Sequence, residues 1–472
     1  MTMHPDFSAP RIAILGGGPG GYEAAMVAAA LGAKVTIIER AGLGGSAVLT
    51  DVVPSKTLIA TSDLMTRVGE AGELGVKLDV DGGGDFVPVM RADLKHINDR
   101  LLGLARQQSR DITAGLEHQN VRILIGSGKL VDNHTIEVLT AEGTETVEAD
   151  AILLTVGAHP RELPTARPDG ERILNWAQIY NLDELPEELI VVGSGVTGAE
   201  FASAYNGLGS KVTLISSRDR VLPGSDTDAA EVLEEVFERR GVTVLSRARA
   251  EAVERTGDGV VVTLGDGTKV TGSHCLVCVG SIPNTAGIGL EEAGVAVTES
   301  GHIKVDGVSR TTAPNIYAAG DCTGVLALAS VAAMQGRIAI AHFLGDQVTP
   351  IKLHQVASNI FTSPEIASVG VSEAEIESGK YQGDIIKLSL KSNARAKMRN
   401  VKDGFVKIFA RKGSGTVIGG VVVGPNASEL IFAIAIAVKQ KLHVDDVAST
   451  FTVYPSLSGS ISEAARRLHV HN

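Results

Sequence analysis

Apolar and polar positions fall into one pattern used twice. RIAILGGGPGGYEAAMVAAALGAKVTIIER opens at Arg11 with a short apolar run, turns through glycines, continues as an Ala-rich stretch and ends in a second apolar run at Glu39. LIVVGSGVTGAEFASAYNGLGSKVTLISSRDR repeats that order from Leu189. Unbroken apolar runs joined by helix-length segments predict parallel strands, covered on both faces by helices. ADAILLTVGAHP, from Ala149 to Pro160, predicts a strand running into a glycine turn that returns the chain to the first unit's edge, and LVCVGSIPN repeats that element after the second copy. NIYAAGDCTG predicts a strand and turn carrying Asp321, followed by an Ala-rich helix from near Leu326 to Leu344. From Ile351 the texture changes to VKIFARKGSGTVIGGVVVG, alternating strands about a glycine turn and then helices, which predicts a separate α+β unit.

Composition narrows the class. The 472 residues correspond to about three domains, and 44% hydrophobic residues with only 4% aromatics suit an α/β enzyme and exclude a disordered or collagen-like chain. A net charge of -12 provides no positive field for nucleic acid or acidic lipid. The basic stretch LKSNARAKMRNVK, Leu390 to Lys402, is read as a solvated strand-and-loop face. No apolar run approaches the roughly 18 residues of a membrane span, the longest being LIFAIAIAV from Leu430 to Val438. Glycines and Glu23 interrupt the apolar stretch after Arg11, so a secretory signal is not expected and the protein is read as cytoplasmic. Three cysteines are too few for a disulfide framework. Cys275 and Cys278 form a CxxC, but inside an apolar run and with no second pair to complete a zinc site, so both are read as strand filler and no metal site is expected.

The glycines carry chemistry. Gly16, Gly18 and Gly21 have GxGxxG spacing between strand and helix: the first permits the tight turn, the second lets backbone approach a pyrophosphate, and the third lets helix and strand pack closely. The helix N-terminus then offers free N–H groups and a positive dipole end, and Glu39 is placed for ribose hydroxyls. Gly193, Gly195 and Gly198 form the second copy, with a full domain's length of chain between the two, so two dinucleotide sites are expected. The second copy closes differently, on Ser216, Ser217, Arg218 and Arg220, with no acid until Asp219. Loss of the acid with gain of arginines accommodates a 2'-phosphate and predicts NADPH over NADH; a solvated charge run is the plain alternative. Asp321, at a strand's C-terminal edge, is placed for a cofactor hydroxyl or phosphate.

Taken together these segments resemble the flavoprotein disulfide reductases, most closely the lipoamide dehydrogenase branch, over essentially the whole chain. The resemblance implies an α/β fold with two Rossmann-like dinucleotide-binding domains, for FAD and NAD(P), plus a C-terminal α+β interface domain. It implies an FAD domain at 1–157, an NAD(P) domain at 158–284, a return segment of the FAD domain at 285–350 and a dimerisation domain at 351–472. Gly16, Gly18, Gly21, Glu39, Arg40, Gly45, Ser46, Lys56, Gly157 and Asp321 would hold FAD, and Gly193, Gly195, Gly198, Ser217, Arg218 and Arg220 would hold NADPH, with NADH possible. In the family the Lys of the PSK motif pairs with a Glu near the flavin N5, which correspond to Lys56 and Glu200, the two expected catalytic residues.

Two departures matter. Where the family carries GGTCxNxGCxPSK, this chain reads GGSAVLTDVVPSK, with Ala47 and Val52 at the redox cysteines. Where the family's HPTxSE supplies a catalytic His and its orienting Glu from the partner subunit, this chain reads YPSLSG, with Tyr454 and Gly459. A thiol–disulfide step needs a thiolate and a base, so disulfide reduction is excluded. The expectation is a homodimeric FAD enzyme passing electrons from NADPH to a quinone-type acceptor; the alternatives are a pyridine nucleotide transhydrogenase and a non-catalytic FAD-binding regulatory homologue.

Overall fold

The computed structural model describes residues 9–76 and 90–469. The chain divides into two compact units, one of Met1–Ser55, Asp99–Arg161 and Gly280–Ile351, the other of Lys56–Asn98, Glu162–Val279 and Lys352–Asn472.

In the first unit a five-stranded parallel sheet runs in the order Ile316–Ala318, Ala151–Leu154, Arg11–Leu15, Lys34–Glu39, Arg122–Ile125. The strand expected to return the chain to the sheet's edge, Ala151–Leu154, lies one place inside it, and the edge is taken by Ile316–Ala318, which arrives from much later in the chain. All four residues of Ala151–Leu154 are buried, but so are all three of the edge strand Ile316–Ala318, so the order is set by the pairing with that distant segment and not by apolarity. The Ala-rich composition has a mechanical use here. Helix Pro19–Ala30 crosses helix Ala329–Phe343 so closely that a Cβ on Gly336 would overlap the carbonyl of Gly20. Between the main-sheet strands the chain inserts a three-stranded antiparallel sheet, Ser127–Leu130, Thr135–Thr140 and Gly143–Glu148.

The second unit contains a five-stranded parallel sheet in the order Thr243–Leu245, Lys211–Ile215, Glu188–Val192, His274–Val277, Ile173–Asn175. It carries an antiparallel insertion of its own, Ala250–Thr256, Gly259–Leu264 and Lys269–Gly272. Past residue 351 an antiparallel sheet runs Ala357–Ile360, Glu365–Gly370, Val417–Gly424, Phe405–Arg411, Gly383–Ser389. Helix Ala427–Gln440, which contains the apolar run Leu430 to Val438, packs on it. No part of the basic stretch 390–402 is a strand: a 3-10 turn at Leu390–Ser392 leads into a short helix, Ala394–Met398, and the rest is loop. The Asn393 side chain accepts a hydrogen bond from Ala396 N at 3.0 Å and caps Ala394–Met398. Leu390 and Ala396 are buried while Lys391, Lys397 and Arg399 point away from the core.

One ionic feature belongs to the second unit's interior. Lys407, in the middle of Phe405–Arg411, is 1% exposed, and its ammonium lies 2.9 Å from Asp226 and 2.6 Å from Asp228, with Glu373 as a third partner. Burial alone would lower the lysine's pKa, but hydrogen bonds to Asp228, Glu373 and Asp226 outweigh it and hold the pKa above its ordinary value. Asp226 is also the N-cap of helix Thr227–Arg239, accepting from Ala229 N. Among the described residues no helix is long and apolar enough to cross a membrane.

Candidate functional site

The first fingerprint, in the first unit, is built by backbone exclusion. Gly16 has φ +108°, a conformation that L side chains rarely adopt, and a Cβ there would overlap the carbonyl of Thr155. A Cβ on Gly21 would overlap the carbonyl of Gly16. A Cβ on Gly18 would meet nothing within 4 Å. The middle glycine alone faces open space, at the N-terminus of helix Pro19–Ala30, where N–H groups lack intrahelical partners. Gly45, with φ +57° at the start of the short helix Gly45–Leu49, lies against it, since a Cβ on Gly45 would be 2.9 Å from the Gly18 Cα.

Glu39, 8% exposed, ends the neighbouring strand. One of its carboxylate oxygens accepts from Gly17 N at 2.6 Å and the other from Ala41 N at 2.7 Å, which leaves lone pairs on both for ribose hydroxyls. Arg40 and Ser46 are exposed. Gly157, φ +66°, is open to whatever approaches it. Asp321 follows Gly320 and is half-buried; burial raises its carboxyl pKa, partly offset by His302. Its carboxylate has no hydrogen-bonding partner among the described residues. An open approach at a helix N-terminus and an unpartnered carboxylate are groups that the phosphates and hydroxyls of a dinucleotide would engage.

The second fingerprint, in the second unit, repeats the exclusion pattern. Gly193 has φ +111° and a Cβ there would overlap the carbonyl of Cys278; a Cβ on Gly198 would overlap the carbonyl of Gly193; Gly195 faces open space. Ser216 stands where Glu39 stands in the first copy, at the residue following strand Lys211–Ile215. Ser217 and Arg218 are exposed, while Arg220 is half-buried, with its Nε enclosed and without a partner. Sequence reasoning missed two residues that the fold joins to these: Ser194, whose hydroxyl lies 2.7 Å from that of Ser216, and Arg247, whose N–H donates to the Arg218 carbonyl at 2.7 Å. Comparing the copies position by position points to Ser194, the counterpart of Gly17; no local signal points to Arg247.

Lys56 and Glu200, both in the second unit, meet at 2.7 Å. Lys56 sits on helix Val52–Gly69, one turn beyond Val52, and Glu200 on helix Val196–Leu208. The Glu200 side chain is 6% exposed and that of Lys56 26%. The other Glu200 oxygen accepts from Phe361 N at 2.8 Å, and the Lys56 ammonium stands 5.1 Å over the Phe361 ring, within cation–π range. One turn along, Ser203 Oγ accepts from Ser363 N at 3.0 Å. Both oxygens of the carboxylate are thus engaged inside the protein, and the ammonium keeps an open side.

The remaining positions are negative in an informative sense. Ala47 and Val52 are half-buried, in helix Gly45–Leu49 and at the first residue of Val52–Gly69. All three cysteines are buried. Burial pushes the Cys275 thiol well above its ordinary range and that of Cys322 up to about 12, so neither is a ready thiolate. Tyr454 is exposed, beside exposed Phe451 and Val453, and Gly459 opens helix Gly459–Arg467 with no carboxylate to offer. Among the described residues the one carboxylate group tight enough for a cation is Asp226, Asp228 and Glu373, and the Lys407 ammonium already lies among them.

Residues 10–336 match the pyridine nucleotide-disulphide oxidoreductase model and residues 356–465 the dimerisation domain of the same group. The chain is 54% identical over 472 residues to a Mycobacterium tuberculosis protein named NAD(P)H dehydrogenase (quinone), covering 98% of this chain and 94% of that one. It is 32% identical over 455 residues to the dihydrolipoyl dehydrogenase of Geobacillus stearothermophilus, covering 96% and 94%. The crystal structure of LpdA from M. tuberculosis superposes with a TM-score of 0.93 at 53% identity, covering 98% of this chain and all of the other.

Proposed function

This chain belongs to the pyridine nucleotide-disulphide oxidoreductases, and from that premise we propose that it is an FAD-dependent oxidoreductase that takes electrons from NADPH and delivers them to a quinone-type acceptor instead of a disulfide. The observation that carries the reading is chemical. The two positions of the family's redox pair are Ala47 and Val52, and the only thiols in the chain are buried elsewhere. A relative sharing 54% of its residues bears the name NAD(P)H dehydrogenase (quinone), which supports the same assignment.

FAD, when bound, supplies the relay of an electron pair between nicotinamide and acceptor. The residues divide the rest of the work. The gap at Gly18 and the helix behind it take the FAD pyrophosphate, Glu39 the ribose, and Asp321 a hydroxyl or phosphate further along. The gap at Gly195 takes the NADPH pyrophosphate, and Arg218 and Arg220 the 2'-phosphate. Lys56 is assigned the flavin side, its Nζ held in place by Glu200 and the Phe361 ring, where it presents a positive charge and a proton without needing an imidazole. Ala47 and Val52 contribute apolar surface suited to a planar, apolar acceptor.

The exposed Phe451, Val453 and Tyr454, inside the matched dimerisation domain, support assembly as a homodimer. Light scattering checks it: a fully active monomer contradicts it. The functional test supplies NADPH to the FAD-loaded protein with either a benzoquinone or lipoamide. Quinone turnover well above oxygen consumption, with no lipoamide reduction, is expected. Lipoamide reduction, or quinone turnover no faster than oxygen consumption, overturns the reading.

A further inference from the structure

A pyrophosphate held at Gly195 brings the adenosine ribose to the end of the adjoining strand, and there the chain forms a small arch from Ser216 to Leu222. Its base is a hydroxyl. Ser216 is fully buried; its Oγ accepts from Arg218 N at 3.1 Å, lies 2.7 Å from Ser194 Oγ, and lies 3.2 Å from the carbonyl oxygens of both Arg218 and Arg220. One proton and two lone pairs are therefore all engaged. Val221 N donates to Glu234 Oε1 at 2.7 Å, and Leu222 N to the Ser194 carbonyl at 2.8 Å. The arch is fastened from inside along its length, with Ser217, Arg218 and Asp219 left on the exposed side.

A second segment is laced to it. Ala248 N donates to the Ser216 carbonyl at 2.8 Å and Arg247 N to the Arg218 carbonyl at 2.7 Å. Arg247 is exposed and has φ +56°. Glycine and asparagine adopt that left-handed conformation readily, arginine does not, and residues kept there against their preference concentrate at functional sites. Among the described residues no carboxylate pairs with the guanidinium of Arg218, Arg220 or Arg247. In a chain of net charge -12, three guanidiniums without a carboxylate partner stand on adjoining backbone at the place where the ribose 2' substituent arrives. The acids beside them are Asp219 on the arch and the helix glutamates, of which Glu234 is engaged by Val221 N and Glu231, Glu235 and Glu238 share a cavity with Ser246, so the three arginines are the groups left to seek an anion.

We propose that Arg247 is a specificity-determining residue for the nucleotide 2'-phosphate, acting with Arg218 and Arg220, and that Ser216 is the positioning residue that holds the arch in register with it. The inference rests on the reading of NADPH as the electron donor and adds a site that the fingerprint itself does not contain.

Calorimetric titration of the FAD-loaded protein with 2',5'-ADP and with 5'-AMP, at low and high salt, tests it without turnover. The unaltered protein binds 2',5'-ADP more tightly, and less so at high salt. Arg247→Ala weakens 2',5'-ADP on the order of tenfold, flattens the salt dependence, and changes 5'-AMP far less. Ser216→Ala loses the same discrimination, and Ser216→Thr, which keeps the hydroxyl, restores it. If Arg247→Ala leaves the ratio untouched while Arg218→Ala reduces it, the role of Arg247 is overturned and the NADPH reading survives. If the unaltered protein binds both ligands equally, the NADPH reading falls and this inference with it. A Ser216→Ala protein that discriminates as before overturns the positioning role.

Discussion

At the first fingerprint the strand ends in Glu39, whose carboxylate accepts the N–H groups of Gly17 and Ala41; at the second it is followed by Ser216, whose hydroxyl meets Ser194 Oγ and the N–H of Arg218. The residues fall at the same three places of the motif in both. The backbones agree down to the glycine that turns, the glycine that stands open and the glycine that packs. What differs is the charge of the closing group. A carboxylate beside the ribose attracts hydroxyl donors and repels a phosphate, whereas a neutral hydroxyl satisfied by its own loop leaves the repulsion out and lets neighbouring arginines decide. On the proposed assignment, one backbone design would support two ligand preferences through a change at positions 17 and 39 against 194 and 216.

The largest expected effect breaks the comparison at the open glycine. Gly18→Val should abolish flavin retention, seen as loss of the yellow chromophore from the purified protein, whereas Gly195→Val should keep the flavin and lose response to NADPH. If Gly18→Val protein retains full flavin absorbance, the two sites have been assigned the wrong way round. Next, the double substitution Ser194→Gly with Ser216→Glu copies the first closure into the second site. It should move the kcat/KM ratio from NADPH toward NADH by about two orders of magnitude, because it adds a repulsion and an acceptor together; an unchanged ratio would show that the closing residue does not govern choice. Arg218→Ala alone should shift that ratio roughly tenfold, mainly through the KM for NADPH.

The smallest effect concerns Asp321, which has no counterpart in the second copy. Its folded-state pKa is raised by burial, so the folded protein binds a proton more readily than the unfolded chain. The stability this contributes is present at pH values below the ordinary carboxylate pKa and is lost as pH rises through the raised value. In flavin-stripped protein, Asp321→Asn should flatten this fall in melting temperature, and parallel pH profiles for the two proteins would remove the argument.

How much of this could be read beforehand depends on the distance over which each feature is encoded. The glycine turns, the parallel strands and the Ala-rich helices are local patterns, and each appears close to its expected place; the helix expected from near Leu326 to Leu344 is Ala329–Phe343. The placement of Ala151–Leu154 was not legible, because the strand that takes the edge arrives some 160 residues later in the chain. The helical turn at Ala394–Met398 was hidden by its charges, although Asn393 is a recognisable cap. The pairing of Lys56 with Glu200 came from family resemblance and not from any pattern, since 144 residues separate them. Arg247 and the partners of Lys407 belong to the same class: contacts made by tertiary structure between segments that carry no mark of each other.

Lys407 has a consequence for how the second unit comes apart. A strand with a wholly buried ammonium at its centre is tolerated only while its acids are beside it. Two of those acids, Asp226 and Asp228, open the helix Thr227–Arg239, which carries the Glu234 that fastens the arginine arch. Melting of the antiparallel sheet therefore strips the helix of its counter-ion, and melting of the helix strands the lysine in hydrocarbon. Chemical denaturation should record one cooperative transition for the sheet and the nucleotide-binding fold together, and ligands that bind at the arch should delay the unfolding of strands that never touch them.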